Sequence, residues 1–257
     1  MFTNNFDPVA FQIFSLEIRW YSLAYIAGIL LGWLYCKKKL IKDHQLLNVF
    51  DDFITYLILG IILGGRLGYA LFYNLSYYLE NPLEILMVWN GGMSFHGGLL
   101  GVVIATQLFS KKYKIEKFIL LDLVALSAPI GIFFGRVANF INSELYGRPT
   151  DLPWSVKFSL IDNINRHPSQ LYEAFFEGII LFLILGQFLK KDYLKKPGQI
   201  SAFFLIFYSL FRFGLEYFRT PDPQLGYLFL DLTQGQLISV FSLIFGLVLL
   251  FYKKNEK

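Results

Sequence analysis

The densest group of chemically capable side chains lies at residues 135–148, Gly-Arg-Val-Ala-Asn-Phe-Ile-Asn-Ser-Glu-Leu-Tyr-Gly-Arg. If the stretch is helical, Arg136 and Asn139 stand three residues apart on one face, and Glu144 follows about two turns on. A second group, Arg212, Glu216 and Arg219, has four- and three-residue spacings that also select one face of a helix. Arginine presents a planar fork of donors that binds phosphate or carboxylate through two hydrogen bonds. Two such forks could hold a phosphate. An unpaired guanidinium away from water is costly, and Glu144 and Glu216 are near enough in sequence to neutralise Arg136 and Arg212. A third group is Gly-Gly-Met-Ser-Phe-His-Gly-Gly at 91–98, where His96 is a candidate general base and its glycine neighbours allow close approach. His44 instead sits beside lysines, and His167 precedes Pro168.

The elements that must position these groups belong to a membrane protein. The 257 residues are 55% apolar and 16% charged with a mean hydropathy of +0.50, too apolar for a soluble domain of this length. Apolar runs near 18–36, 50–73, 94–110, 118–135, 170–189, 198–218 and 236–252 predict seven transmembrane helices, the third the weakest. Lysines follow the first, third, fifth and seventh runs: Lys37, Lys38, Lys39 and Lys42, then Lys111, Lys112, Lys114 and Lys117. Lys190, Lys191, Lys195, Lys196, Lys253, Lys254 and Lys257 complete the pattern, and Lys157 alone dissents. The positive-inside rule then places the N-terminus outside and the C-terminus in the cytoplasm. All seven arginines, Arg19, Arg66, Arg136, Arg148, Arg166, Arg212 and Arg219, fall toward the outer face. Orientation does not explain that segregation, because arginine and lysine serve it about equally. A phosphate ligand in the outer leaflet does.

Non-helical sequence gathers in the outer connections. Residues 136–169, with Pro149, Pro153 and Pro168, predict a small extracytoplasmic cap in which 154–160 alternates as a short strand. The connection from Tyr73 to Leu86 predicts an amphipathic arm in the interface. The fold class is therefore an all-α polytopic membrane protein with seven spans, an interfacial arm and a small cap. Small residues at Gly60, Gly64 and Gly68, Gly97 and Gly101, and Gly131 and Gly135 suit close helix packing. Cys36 excludes an internal disulfide and is expected to pack. The first 17 residues lack Lys and Arg, so the first run is expected to be a retained helix. No ligand spacing suggests a metal, no glycine-rich loop suggests a nucleotide cofactor, and the short lysine clusters do not suggest nucleic acid.

Residues 135–147, GRVANFINSELYG, resemble the signature of prolipoprotein diacylglyceryl transferases. Other stretches are similar in the same order: Trp20–Tyr25, Gly64–Tyr69, Gly91–Gly98, Arg166–Glu173, and Arg212–Arg219 followed by Pro221-Asp222. The resemblance covers most of the chain. It implies an enzyme of the bacterial cell membrane, without cofactor, that moves the diacylglyceryl group of phosphatidylglycerol to the lipobox cysteine thiol of a prolipoprotein, whose signal peptide is a second partner. Glycerol phosphate would leave. Arg136 and Arg212 would be the phosphate clamps, with Arg66 and Arg219 in support. Asn139, Glu144, Gly147, Glu216, Tyr21 and Tyr208 would contact the lipid, with Tyr25 nearby, and Gln170 and Glu173 would line the cavity or satisfy helix ends. His96 would take the thiol proton, since a free thiol of pKa about 8.5 is mostly protonated at neutral pH. The alternative is a protein that binds or translocates anionic phospholipid without covalent chemistry.

Overall fold

The structure is a computed structural model that describes residues 2–190, 196–221 and 226–255. Lys191, Lys195, Asp222 and Lys257 lie outside the described residues. In chain order come the strands β1 (Phe2–Asn4), β2 (Val9–Ile13) and β3 (Leu16–Arg19), then the helices α1 (Trp20–Tyr35), α2 (His44–Phe72), α3 (Leu75–Glu80), α4 (Phe95–Tyr113) and α5 (Lys117–Ile141). Two strands follow, β4 (Val156–Phe158) and β5 (Asn165–Arg166). Next, α6 (Ser169–Glu173) passes through a π-helical stretch, Ala174–Ile180, into α7 (Leu181–Lys190), before α8 (Gln199–Leu215) and α9 (Gln234–Asn255). Each expected apolar run coincides with a helix. Among the described residues, four helical stretches are long and apolar enough to cross a bilayer: His44–Phe72, Lys117–Ile141, Ser169–Leu189 and Gln234–Lys253. Gln199–Leu215 is apolar and shorter. Leu59, Leu63, Leu67 and Leu71 on α2, and Phe241, Phe245 and Val248 on α9, are exposed in rows of three- and four-residue spacing. Apolar rows of this extent suit lipid rather than water.

The fold departs from an all-α reading at two small sheets, of order β1-β4-β5 and β2-β3. The strand expected within 154–160 is β4. The hairpin of β2 and β3 carries no sequence signal, because its turn at Phe14 takes a positive φ of 55° without the glycine or asparagine that usually marks one. Helix α5 also runs six residues past its expected end at 135. Ala138 and Phe140 are buried there, and Phe140 joins Val156, Phe158 and Tyr146 in the core of the cap. Residues 136–141 are therefore helical. Helix α2 starts at His44 rather than near 50, since the Asp43 side chain caps it by accepting from the Leu46 N–H at 2.7 Å.

The chain forms two units. The first comprises residues 1–36 and 122–257. In it α1 and α5 approach closely: a Cβ on Gly28 would stand 2.9 Å from Gly131 Cα. Gly135 by contrast faces open space, so close packing does not explain it. Cys36 is buried, as expected of a packing residue, with its thiol directed at the Leu123 carbonyl. Asp122, fully buried on α5, accepts from Gly198 N, Ser201 N and Ser201 Oγ at 2.6–2.8 Å and so holds the start of α8. Strand β1 runs parallel to β4, and buried Asn4 donates to the Phe140 carbonyl at 2.5 Å, tying the N-terminal segment to the cap. Within the cap Arg166 pairs with Asp162 at 2.6 Å and holds its carboxyl below the usual range.

The second unit comprises residues 37–121. Helices α2 and α4 meet along the glycines at 60, 64, 68, 97 and 101: a Cβ on Gly68 would stand 2.7 Å from Gly97 Cα, and one on Gly60 2.6 Å from the Gly101 carbonyl. The expected close packing is present. The arm is α3 followed by two turns of 3-10 helix, Pro82–Leu86 and Val88–Asn90, exposing Leu79, Leu83, Leu86 and Trp89.

Candidate active site

Arg136 projects from the last two turns of α5. On the facing segment, Gly178 lies so near α5 that a Cβ would stand 2.8 Å from Phe133 Cβ, and this contact brings the π-helical stretch against the turn below Arg136. Glu173 and Glu177, four residues apart, flank the start of that stretch and are both fully buried. A π-turn accommodates an extra residue, so residues four apart stay closer to one direction than on an α-helix, and such turns are frequent at functional sites. Arg136 Nη1 pairs with Glu173 at 2.9 Å and Nη2 with Glu177 at 3.2 Å.

From α8, Arg212 Nη1 reaches Glu173 at 2.6 Å and Glu177 at 3.8 Å, while Nη2 reaches Glu216 at 2.5 Å. Arg219 adds a longer contact of 3.7 Å to Glu173. One carboxylate, Glu173, thus serves three guanidiniums. The network joins three arginines to three glutamates, and exposure is unequal between them. The arginine side chains keep 16%, 11% and 14% of their surface, against 0%, 0% and 6% for Glu173, Glu177 and Glu216. The carboxylates are sealed, whereas the arginine side chains keep a small accessible share. That arrangement offers donors to an incoming anion.

The expected pairing of Arg212 with Glu216 is present. The expected pairing of Arg136 with Glu144 is replaced by Glu173 and Glu177. Glu144 accepts from Asn139 Nδ2 at 3.1 Å and Asn142 Nδ2 at 3.4 Å, and its carbonyl takes Gln170 Nε2 at 2.6 Å. Its neighbours Ser143 and Leu145 both adopt positive φ, 58° and 54°, which turns the chain back on the helix end. Tyr21 and Tyr25 meet edge to face at 5.0 Å, and Tyr25 lies within electrostatic reach of Glu144 and Arg136. Tyr208 lies within such reach of Arg136, Arg212, Glu173 and Glu177. Gly147 marks a crossing of three backbones: a Cβ there would stand 2.6 Å from His167 Cβ and 2.8 Å from the Phe218 carbonyl. Arg136, Asn139, Glu144, Tyr21, Tyr208, Arg212, Glu216 and Arg219 all belong to the first unit.

The other arginines have different work. Arg148 donates to the Arg219 carbonyl at 2.9 Å, Arg166 to Asp162, and Arg19 pairs with Glu17 at the surface. Arg66, buried in the second unit, donates to five main-chain carbonyls, those of Glu84, Ile85, Met87, Gly91 and Gly92, and lies over the Tyr78 ring at 5.2 Å. Its five donors match five acceptors, so it organises the arm. His96 opens α4 in the same unit, exposed, after Ser94 has capped the helix by accepting from Gly97 N at 3.2 Å.

The model of the family described as prolipoprotein diacylglyceryl transferase matches residues 8–252. The chain belongs to that family. It is 52% identical over 245 residues to the phosphatidylglycerol–prolipoprotein diacylglyceryl transferase of Rickettsia felis, covering 94% of this chain and 95% of the relative. The enzyme of the same name from Rickettsia bellii is 50% identical over 249 residues, with coverage of 96% and 95%. That of Rhodopseudomonas palustris is 50% identical over 254 residues, with coverage of 95% and 89%. Arg136, Arg212, Glu173 and Glu177 all fall within the residues matched by this transferase family.

Proposed function

We infer that the chain is a transferase that moves the diacylglyceryl group of phosphatidylglycerol to a prolipoprotein, and that the arginine–glutamate network holds the lipid phosphate. The relatives' names give the reaction class. Three clustered, partly exposed arginine side chains over buried carboxylates are the observation that carries the assignment of the site. In the step proposed, the sulfur of the lipobox cysteine attacks the glycerol carbon next to the phosphate. The carbon–oxygen bond breaks and its electron pair goes to the phosphate oxygen, so glycerol phosphate leaves with one more negative charge than the phosphodiester carried. Arg136 and Arg212 face that charge, and donors already ordered before it develops stabilise it without reorganisation. Glu173, Glu177 and Glu216 keep the guanidiniums charged and aimed. His96 is the proposed acceptor of the thiol proton. Asn139, Glu144, Gly147, Tyr21 and Tyr208 shape the surroundings of the headgroup, and Arg66 supports the site by ordering the arm.

The same reading sets seven helices across the bacterial cell membrane, with the cap and the N-terminus outside and the C-terminus in the cytoplasm. The pairing of β1 with β4 supports it, because the N-terminal segment and the cap must then share a side. The lysine pattern supports it independently. Membranes carrying the chain should transfer labelled diacylglyceryl from phosphatidylglycerol to a lipobox peptide, and Arg136→Ala should abolish transfer while the protein remains folded. Movement of lipid without a thioether product would point instead to a lipid carrier.

A further inference from the structure

Glu216 differs from the other carboxylates of the network in that its second oxygen accepts from a residue outside the network. Its Oε2 pairs with Arg212 at 2.5 Å, whereas its Oε1 accepts from Thr233 Oγ1 at 3.1 Å. Thr233 stands immediately before α9 and starts that helix with a reciprocal cap. Gln236 N donates to Thr233 Oγ1 at 3.3 Å, and Thr233 N donates to Gln236 Oε1 at 3.0 Å. Thr233, Gln236 and Glu216 are all buried. Gly235, in the first turn of α9, completes the arrangement: a Cβ at that position would stand 2.9 Å from the Glu216 carboxylate carbon and 2.9 Å from each of its oxygens. Real Cβ atoms do not approach so closely, so any other residue at 235 displaces the carboxylate. The φ of Gly235 is not in the left-handed region, so what a side chain there would disturb is the Glu216 carboxylate and not the backbone.

We propose that Gly235 and Thr233 are positioning residues for the transfer reaction: they form a seat for Glu216 at the start of α9, and the seated carboxylate fixes the direction of the Arg212 guanidinium. The first turn of a 22-residue helix favours a carboxylate because its N–H groups lack helical partners and its dipole is positive there. The Thr233 hydroxyl selects the oxygen, accepting from the helix and donating to Glu216. Arg212 is thus aimed by a chain of contacts that ends outside the arginine network, on α9. The proposal rests on the reading of Arg212 as a phosphate clamp, and the test separates the two.

Transfer from phosphatidylglycerol vesicles to a lipobox peptide would be measured for Gly235→Ala, Glu216→Ala and the double variant, with Arg212→Ala alongside. A small displacement of a catalytic group can cost roughly 100-fold in rate. Gly235→Ala should approach that loss in kcat, with KM for the peptide little changed. In the Glu216→Ala background the obstructed carboxylate is absent, so the same substitution should change the residual rate by less than about threefold, which is the non-additivity expected of contacting residues. Thermal unfolding reads the seat without relying on activity: Gly235→Ala should lower the melting temperature in the natural chain but not in Glu216→Ala, where alanine is the better helix former. Thr233→Ser should retain most of the rate and Thr233→Val should lose it. Full activity of Gly235→Ala, or equal losses in both backgrounds, would overturn the seating. Undiminished transfer by Arg212→Ala would instead remove the clamp.

Discussion

Replacing Glu173 by Gln keeps the shape of the side chain and removes the charge shared by three guanidiniums. At 2.9 Å and an effective dielectric of 20, one carboxylate–guanidinium pair is worth about 6 kcal/mol of Coulomb energy. Glu173 makes two contacts at or below that distance, to Arg136 and Arg212, and a longer one to Arg219. Burying the carboxylate offsets much of this, and removing one partner of a buried pair typically leaves a net cost of about 3–5 kcal/mol. The Gln amide also brings donors toward donors. If about 3–4 kcal/mol of that cost is expressed as misplacement of Arg136 and Arg212, the rate falls roughly 100- to 1000-fold, at 1.36 kcal/mol for each tenfold. The assay is initial transfer of labelled diacylglyceryl from phosphatidylglycerol vesicles to a lipobox peptide, with the amount of folded protein fixed by gel filtration. Glu177→Gln should cost less, because its contacts of 3.2 and 3.8 Å are longer. A Glu173→Gln variant within threefold of the natural rate, or one less impaired than Glu177→Gln, would show that Glu173 does not aim the two arginines.

Further outcomes follow from the same geometry. Arg136→Lys should be nearly as inactive as Arg136→Ala in the transfer assay, since an ammonium cannot reach Glu173 and Glu177 as a fork and still face a phosphate. Arg66→Lys should loosen the arm rather than abolish chemistry, because three donors cannot satisfy five carbonyls; faster proteolysis within residues 74–93 should accompany a modest fall in rate. In the cap, burial pushes the His167 imidazole down, and its Nδ1 lies 3.3 Å from the Tyr172 hydroxyl, which accepts from Trp154 Nε1 at 2.8 Å. A folded pKa below the unfolded value of about 6.5 means that stability is fully present above that pH and is lost as pH falls through the folded value. Fluorescence of a variant keeping only Trp154 should therefore report loosening on acidification, and His167→Gln should flatten the profile.

The legible and illegible parts of the molecule divide along one physical line. Hydropathy runs and capping chemistry are local, so each apolar run is readable as helix, with end errors of up to six residues. The pairing of Arg212 with Glu216 was readable for the same reason, being a four-residue contact on one helix. The partners of Arg136 lie 37 and 41 residues away on another segment, and only packing at Gly178 brings them together. Sequence proximity favoured Glu144, which the turn at Ser143 and Leu145 directs to Asn139. The sequence leaves Glu173 lining a cavity or satisfying a helix end and gives Glu177 no evident role. A usable signal existed in both, since carboxylates four apart within an apolar run are costly without partners. The separation of seven arginines from the lysine clusters suggests a ligand, and the structure divides the three of the network from Arg66, Arg148 and Arg166, which bind backbone or Asp162, and from the surface residue Arg19. The hairpin at 9–19 was silent because its turn residue breaks the usual preference.

If the arginines of the network hold the lipid phosphate, its phosphorus lies close to their guanidinium nitrogens. Dipolar recoupling between the phosphorus of phosphatidylglycerol and guanidinium nitrogen, in vesicles carrying isotope-labelled protein, measures that proximity directly. Strong short-range dephasing is expected in the natural chain, with clear losses in Arg136→Lys and in Arg212→Lys and none in Arg19→Lys. Dephasing that survives both substitutions would place the phosphate elsewhere and contradict the account.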